Sequence, residues 1–359
     1  MIKPSSSLCN MRCNYCFYAN VSSLRENQSL GLMSTDVATA LIKNIAASLT
    51  EGDSVTFSFQ GGEPTLAGLD FFTFFVGQVK AIMAPLVTVN YALQTNGMLV
   101  SEDWCQFFKD NNFLVGLSLD GDASLHNLNR VGSNMKGTFN HVMKAKRLFD
   151  KHGITYNILC VLTAETARRP RRIWEFIVKE KIEYIQFVPC LEPLEVTTKS
   201  PFALTGERFY QFYATIFYLW KQGLSNSNNP KVQLFEDLAA LHLNGQPVTC
   251  GLSGGCSPQM IVEADGSVYP CDFYALDKYL VGNLATSTLM EVFDQLLNSN
   301  FYTRGRGSPI PEYCTSCAYY PWCQGGCKRM AKTVYGKNCG MGLFLDEFLE
   351  SLLTIYTQP

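Results

Sequence analysis

Three cysteines near the start of the chain set the chemistry. Cys9, Cys13 and Cys16, in CNMRCNYC, form a C-x3-C-x2-C set. Three thiolates on one short loop can hold three irons of a [4Fe–4S] cluster and leave the fourth without a protein ligand. An open coordination position marks a metal site that takes a reactant, where a closed one only holds a fold together. A zinc loop, or three unrelated thiols, fits the same spacing. Eight more cysteines crowd the C-terminal third: Cys250, Cys256, Cys271, Cys314, Cys317, Cys323, Cys327 and Cys339. From Cys314 they read C-x2-C-x5-C-x3-C, with Cys339 eleven residues on. Eight thiolates make two closed four-ligand sites. The chain has 4 histidines, none paired with another at ligand spacing, so the options are four-thiolate zinc or four-thiolate [4Fe–4S]. Cys105, Cys160 and Cys190 fall in a helical pattern, a strand and a strand end, and read as small buried hydrophobes.

The opening MIKPSSSLCN lacks the apolar run of a secretory signal. No stretch of about 18 or more apolar residues appears, so no membrane span is expected. That reads as a reducing, cytoplasmic address, where 14 cysteines mean metal or redox chemistry in place of disulfides. The net charge is −2, from 29 basic and 31 acidic residues, without a basic block. The phosphate-neutralising term that dominates nucleic-acid binding therefore has no source. The densest basic spot, Arg168 to Arg172, reads as a solvated helix start.

These residues must be positioned by the elements between them. Apolar runs at 54–60, 88–94, 113–119, 155–162 and 184–189 read as strands buried on both faces. A further short strand is expected before Cys9. Helical patterns alternate with them, the first opening on the capping signal Ser34-Thr35-Asp36. Repeated βα units imply a parallel sheet with right-handed crossovers, and about six of them imply a partial or full (β/α) barrel. Chemistry in such folds sits at the C-terminal ends of the strands. There the sequence carries Gln60-Gly61-Gly62-Glu63-Pro64, Gln94-Thr95-Asn96-Gly97, Ser118-Leu119-Asp120-Gly121 and Cys190-Leu191-Glu192. A helix near 205–222 precedes a loop at Ser225–Pro230. From Cys250 glycine and cysteine become dense, and Asp265-Gly266 marks a hairpin turn in MIVEADGSVYPC. The expected division is 1–222 for the barrel, 223–249 as linker, and 250–359 for a cysteine-rich domain.

CNMRCNYCFY, QGGEPTLAG, LQTNG and LSLDG together resemble the radical S-adenosylmethionine (SAM) superfamily. The resemblance implies a partial (β/α)6 barrel in which SAM chelates the open iron through its amino and carboxylate groups. It assigns Gly61, Gly62, Glu63 and Pro64 to the segment that meets the SAM amino group. Physical sense agrees, since glycines let backbone approach a ligand and an acid suits an ammonium. Ser118 and Arg130 would serve the SAM carboxylate or ribose. Tyr18, two residues beyond Cys16, would line the pocket, or merely pack. The tail resembles the SPASM domain. By that resemblance Cys250, Cys256, Cys271 and Cys327 hold a nearer auxiliary [4Fe–4S] cluster, and Cys314, Cys317, Cys323 and Cys339 a farther one.

A closer resemblance covers nearly the whole chain. The IKP start, FQGGEPTLAG, FLVGLSLDG, HNLNR, TYNILCV and DGSVYPCDFYALDK are similar to the anaerobic sulfatase-maturating enzymes. These oxidise a Cys or Ser in a C/S-x-P/A-x-R segment of a sulfatase to Cα-formylglycine. The resemblance makes Asp272 the base, Gln60 and Tyr18 substrate contacts, and Leu191 an adenine-side contact. In isolation Asp272 also fits a solvated turn. The implied partners are an unfolded sulfatase segment and a low-potential donor such as flavodoxin or ferredoxin. Two alternatives stand beside this reading. One is a SPASM enzyme that crosslinks or epimerises a ribosomal peptide, although only eight residues precede Cys9, too few for a leader-binding module. The other is a non-catalytic metal scaffold, which would need neither the open loop nor the GGEP segment.

Overall fold

The computed structural model describes residues 1–83, 85, 87–226, 229–245, 249–252, 254, 256–303 and 312–357. Ser227 and Asn228 of the expected loop, and 246–248 of the expected linker, lie outside the described residues. Two compact units form, each from discontinuous stretches of chain. One comprises Met1–Ser118, Asn127–Tyr156 and Pro258–Thr303; the other comprises Leu119–His126, Asn157–Ser257 and Arg304–Pro359.

Six parallel strands follow the order of the chain. They are β1 (Ser54–Phe59), β2 (Thr88–Thr95), β3 (Leu114–Ser118), β4 (Tyr156–Leu162), β5 (Tyr184–Pro189) and β6 (Lys231–Val232). In the first unit β1 pairs with β2 in register Ser54↔Thr88, and β2 with β3 in register Ala92↔Leu114. In the second, β4 pairs with β5 and β5 with β6. Five strands match their expected spans to within a residue or two. The sixth and the helix after it, Gln233–Asn244, occupy the stretch expected to be linker.

The strand expected before Cys9 does not form. Only Ile2 bridges, parallel to Phe59 on one side and to Val262 on the other, and the chain turns at once after it. Pro4 is the physical reason: it has no N–H to continue a ladder. The hairpin is present as β7 (Ile261–Val262) and β8 (Ser267–Tyr269), antiparallel, with a third strand β9 (Gly282–Asn283) against β8. Gly266 sits at φ 88°, the left-handed conformation its turn requires.

Helices follow their local signals. Ser34 caps Thr35–Ala46 by accepting from Val37 N, and Ser101 caps Glu102–Asp110 by accepting from Trp104 N. Aromatic rings pack each unit. Phe59 meets Phe72 at 4.9 Å and Phe75 at 5.1 Å in the first; Phe217 meets Phe348 at 4.8 Å in the second. Each such ring withdrawn from water is worth about 1.5–3 kcal/mol. Among the described residues, no helix is long and apolar enough to cross a membrane.

Candidate active site

The loop that carries the first three cysteines is pinned by a neighbouring strap. Arg12 N donates to Val131 O at 2.8 Å, Asn14 N to Asn129 O at 3.0 Å, and Ser133 N to Asn10 O at 3.2 Å. Backbone amides point at the sulfurs: Met11 N at Cys9 Sγ (3.4 Å) and Ala19 N at Cys16 Sγ (3.4 Å), with Asn96 Nδ2 3.8 Å from Cys9 Sγ. Such bonds are a lever by which proteins tune iron–sulfur clusters. Burial pushes the Cys9 thiol up to about 12, and the fields of Glu63, Cys13 and Cys16 add to that. A buried thiol beside two further thiols and a carboxylate lacks a cation, and iron supplies one. The donor set therefore fits a three-thiolate cluster site.

The glycine segment passes against this loop with no room for side chains. A Cβ on Gly62 would lie 2.0 Å from Leu8 O. Gly62 N donates to Ser6 O and Glu63 N to Leu8 O, both at 2.8 Å. Glu63 is buried, and its carboxylate accepts four hydrogen bonds within the protein. Oε1 accepts from Thr65 N (3.2 Å), Thr65 Oγ1 (2.6 Å) and Thr95 Oγ1 (2.7 Å), and Oε2 accepts from Asn96 N (2.7 Å). Burial raises its pKa, and these four donors oppose the rise. Thus Glu63 ties β2's end to the GGEP turn. Gln60 N donates to Ile2 O at 3.0 Å. Ser118 Oγ accepts from Gln94 Nε2 at 3.0 Å. Arg130 is buried with its guanidinium 5.5 Å from the Tyr15 ring.

A second group surrounds Asp272, next to Cys271. The Asp272 carboxylate pairs with the ammonium of Lys3, whose side chain is 0% exposed. That ammonium lies 3.5 Å above the ring of Tyr18. Tyr18 is buried, and its hydroxyl donates to Glu263 and accepts from Arg25 Nη2 at 2.6 Å. Burial first, then the Glu263 charge, raises the Tyr18 pKa. Arg25 Nη1 lies 3.0 Å from Glu263 Oε1. Sequence reasoning named Tyr18 and Asp272 and missed Lys3, Arg25 and Glu263 as their partners. For Lys3 a signal existed in the IKP opening; Arg25 and Glu263 sit in no motif.

The second unit holds the other named residues. Leu191 stands two residues past the end of β5 and is half-buried. Cys327 is raised by burial, with Cys250 and Cys256 adding to it. Cys339 is pushed up to about 11 by burial, with Cys323 and Cys314 contributing. Cys327 thus has Cys250 and Cys256 near it, and Cys339 has Cys323 and Cys314, which are three members of each expected quartet. Among the described residues, no three of His, Cys, Asp and Glu are placed to hold a single metal ion. Cys105 and Cys160 are wholly buried, and Cys190 nearly so.

The parallel strands and the open cysteine loop define a radical SAM enzyme with an appended iron–sulfur segment. Residues 4–177 match the radical SAM superfamily, and residues 254–318 match the SPASM iron–sulfur cluster-binding domain. A cysteine-type anaerobic sulfatase-maturating enzyme of Clostridium perfringens (strain 13 / Type A) is 39% identical over 98% of this chain and 94% of its own. One from Clostridium novyi (strain NT) is 36% identical over 97% and 92%. A solved structure described as native anSMEcpe with bound AdoMet and Cp18Cys peptide superimposes with a TM-score of 0.89. It is 34% identical, over 99% of this chain and 97% of that one. This chain belongs to the family of anaerobic sulfatase-maturating enzymes.

Proposed function

We propose that the protein oxidises a cysteine in a sulfatase segment to Cα-formylglycine, with Asp272 as the base. The observation that carries the reading is the Asp272 carboxylate, held beside Cys271 by a buried ammonium. Family membership and the cysteine-type relatives support the choice of a cysteine target. When bound, SAM and three [4Fe–4S] clusters supply a carbon radical that takes a hydrogen atom from the substrate Cβ, and a sink for one electron. SAM would be received by the Cys9, Cys13 and Cys16 loop with Tyr18, Gly61, Gly62, Glu63, Ser118, Arg130 and Leu191. The remaining eight thiolates would hold the auxiliary clusters in the two quartets expected from the resemblance.

The protein's own task is proton transfer and positioning. Asp272 accepts the proton of the substrate thiol, which requires hydrogen-bond reach to the sulfur. Loss of one hydrogen atom, one proton and one electron turns CH2–SH into CH=S, and water converts that thioaldehyde to the aldehyde with release of hydrogen sulfide. Gln60 and the face of Tyr18 contact the peptide. The peptide is an extended segment, delivered before its sulfatase folds, and the separate electron needed to cleave SAM would come from a low-potential carrier such as flavodoxin or ferredoxin in the cytoplasm.

The test is anaerobic turnover with a short C-x-P-x-R peptide, read by mass spectrometry and by hydrazine trapping. Formation of a trappable aldehyde, matched by 5′-deoxyadenosine, is the expected result. A product two hydrogens lighter that resists trapping points to a crosslinking maturase. Full peptide oxidation by Asp272→Asn removes Asp272 from the role of base.

A further inference from the structure

The geometry points to Lys3 as the residue that positions the Asp272 carboxylate, an assignment that rests on the reading of Asp272 as the base. A buried ammonium is costly unless it is paired. Lys3 is the one charged residue among the largest fully buried side chains of the described residues, so something in the fold offsets its desolvation. The carboxylate of Asp272 is that partner, 269 residues away in sequence.

Its backbone is fixed from two sides. Lys3 N donates to Val262 O at 2.8 Å, Ile2 N donates to Ser58 O at 2.7 Å, and Gln60 N returns a bond to Ile2 O at 3.0 Å. The stem then runs along the glycine segment. A Cβ on Gly61 would lie 3.2 Å from Lys3 Cβ and 3.3 Å from Lys3 Cγ, and Gly61 has φ +134°. Gly61 therefore has a second use beside ligand approach: it leaves the lane along which the lysine reaches Asp272. At the far end the ammonium grips Asp272 Oδ1 and lies over the Tyr18 ring. The Met1 amino group is also in the carboxylate's field, but it gives its hydrogen bond to Met260 O at 2.8 Å.

The consequence is an orientation. With Oδ1 held by Lys3, Oδ2 is the oxygen presented to a substrate thiol. Tyr18, whose hydroxyl is committed to Glu263 and Arg25, offers its ring and not its oxygen. One cation thus aligns the base and the aromatic wall as a single piece. Misplacement of a reacting group by about 1 Å can cost on the order of 10²-fold in rate.

The experiment uses the full chain, reconstituted anaerobically, with Lys3→Met, Lys3→Arg, Asp272→Asn and the Lys3→Met/Asp272→Asn double variant. Lys3→Met is expected to lower kcat for peptide oxidation about 100-fold, with KM for SAM within about twofold of wild type. Deoxyadenosine formed per aldehyde should rise, because hydrogen abstraction outruns proton removal. Lys3→Arg should recover part of the loss, since the charge returns in a different shape. Adding Lys3→Met to Asp272→Asn should cost nothing further, as for two residues acting through one group. An unchanged ratio of deoxyadenosine to aldehyde in Lys3→Met, or additive losses in the double variant, overturns the assignment. Crystals supply a readout free of substrate: Asp272 should leave its rotamer in Lys3→Met, and an unmoved carboxylate overturns the assignment too. Wild type that makes no aldehyde defeats the sulfatase reading, while the crystallographic readout still decides the role of Lys3.

Discussion

The loop from Cys9 to Cys16 and the segment from Cys314 to Cys339 use the same side chain under different constraints. In the first, three sulfurs lie on eight residues, Cys9 and Cys13 are only partly buried and Cys16 is exposed, and the backbone is held by an outside strap at 129–133. In the second, Cys314 and Cys323 are buried and the backbone bonds largely to itself, as in Cys317 N to Cys314 O (3.2 Å) and Gly326 N to Cys323 O (2.6 Å). Four thiolates can wrap a cluster with their own chain. Three that must leave one position open need their geometry imposed from elsewhere, here by the strap and by the glycine segment against Leu8. On the proposed ligand sets, the difference would separate a site built to react from one built to conduct.

The sharpest way to break that contrast is to remove one cysteine from each. Cys13→Ala should abolish 5′-deoxyadenosine formation altogether. Cys317→Ala should lower the iron content by about a third, one cluster of three, while SAM cleavage continues. Equal loss of SAM cleavage in both would dissolve the distinction. A Cβ at Gly62 meets backbone, whereas one at Gly326 meets the Tyr335 ring at 2.0 Å, so the two regions should also differ in how they yield. Overpacking costs about 1–3 kcal/mol in each, but Gly62→Ala should displace the SAM loop and Gly326→Ala the auxiliary iron. Denaturant melts with iron counts would tell them apart.

Glu63→Gln tests the imposed geometry more gently. An amide nitrogen set against the Asn96 N–H leaves a buried donor without an acceptor, at about 1–3 kcal/mol by urea titration. SAM affinity should weaken in parallel. The smallest effects come from thiols outside both regions. Cys160→Ala should keep all its iron and lose only about 1 kcal/mol. For pH, metal-free Cys9 holds its proton to about 12 against 9.0 for an ordinary thiol, so it carries less thiolate at any pH between them. Iodoacetamide should therefore label the exposed Cys16 before Cys9 near pH 9. The reverse order would contradict the burial of Cys9.

Much of this was legible in one dimension. β1 to β5 could be read as short runs rich in β-formers bounded by turn residues. They are not buried on both faces as expected: burial alternates along β1 and β2, with Phe57, Phe59, Tyr91 and Leu93 inward. β6 could not, since Lys231–Val232 is too short to form a pattern and owes its place to pairing with β5. The cysteine sets were legible from spacing, because a short loop confines its own sulfurs. The partners of Asp272 and Tyr18 were not: Lys3 and Asp272 are 269 residues apart, and Tyr18 and Glu263 are 245.

Sequence alone determined the chemistry that was available: an open three-thiolate loop, eight further thiolates and a glycine turn. Those properties are local, settled by residue type and spacing within a few residues. Tertiary structure alone decided which groups meet. It buried Lys3 against Asp272, spent the Glu63 carboxylate on four protein donors, and assembled each unit from three separate stretches. A buried charge finds its partner through the topology of strands, and no local pattern records that choice.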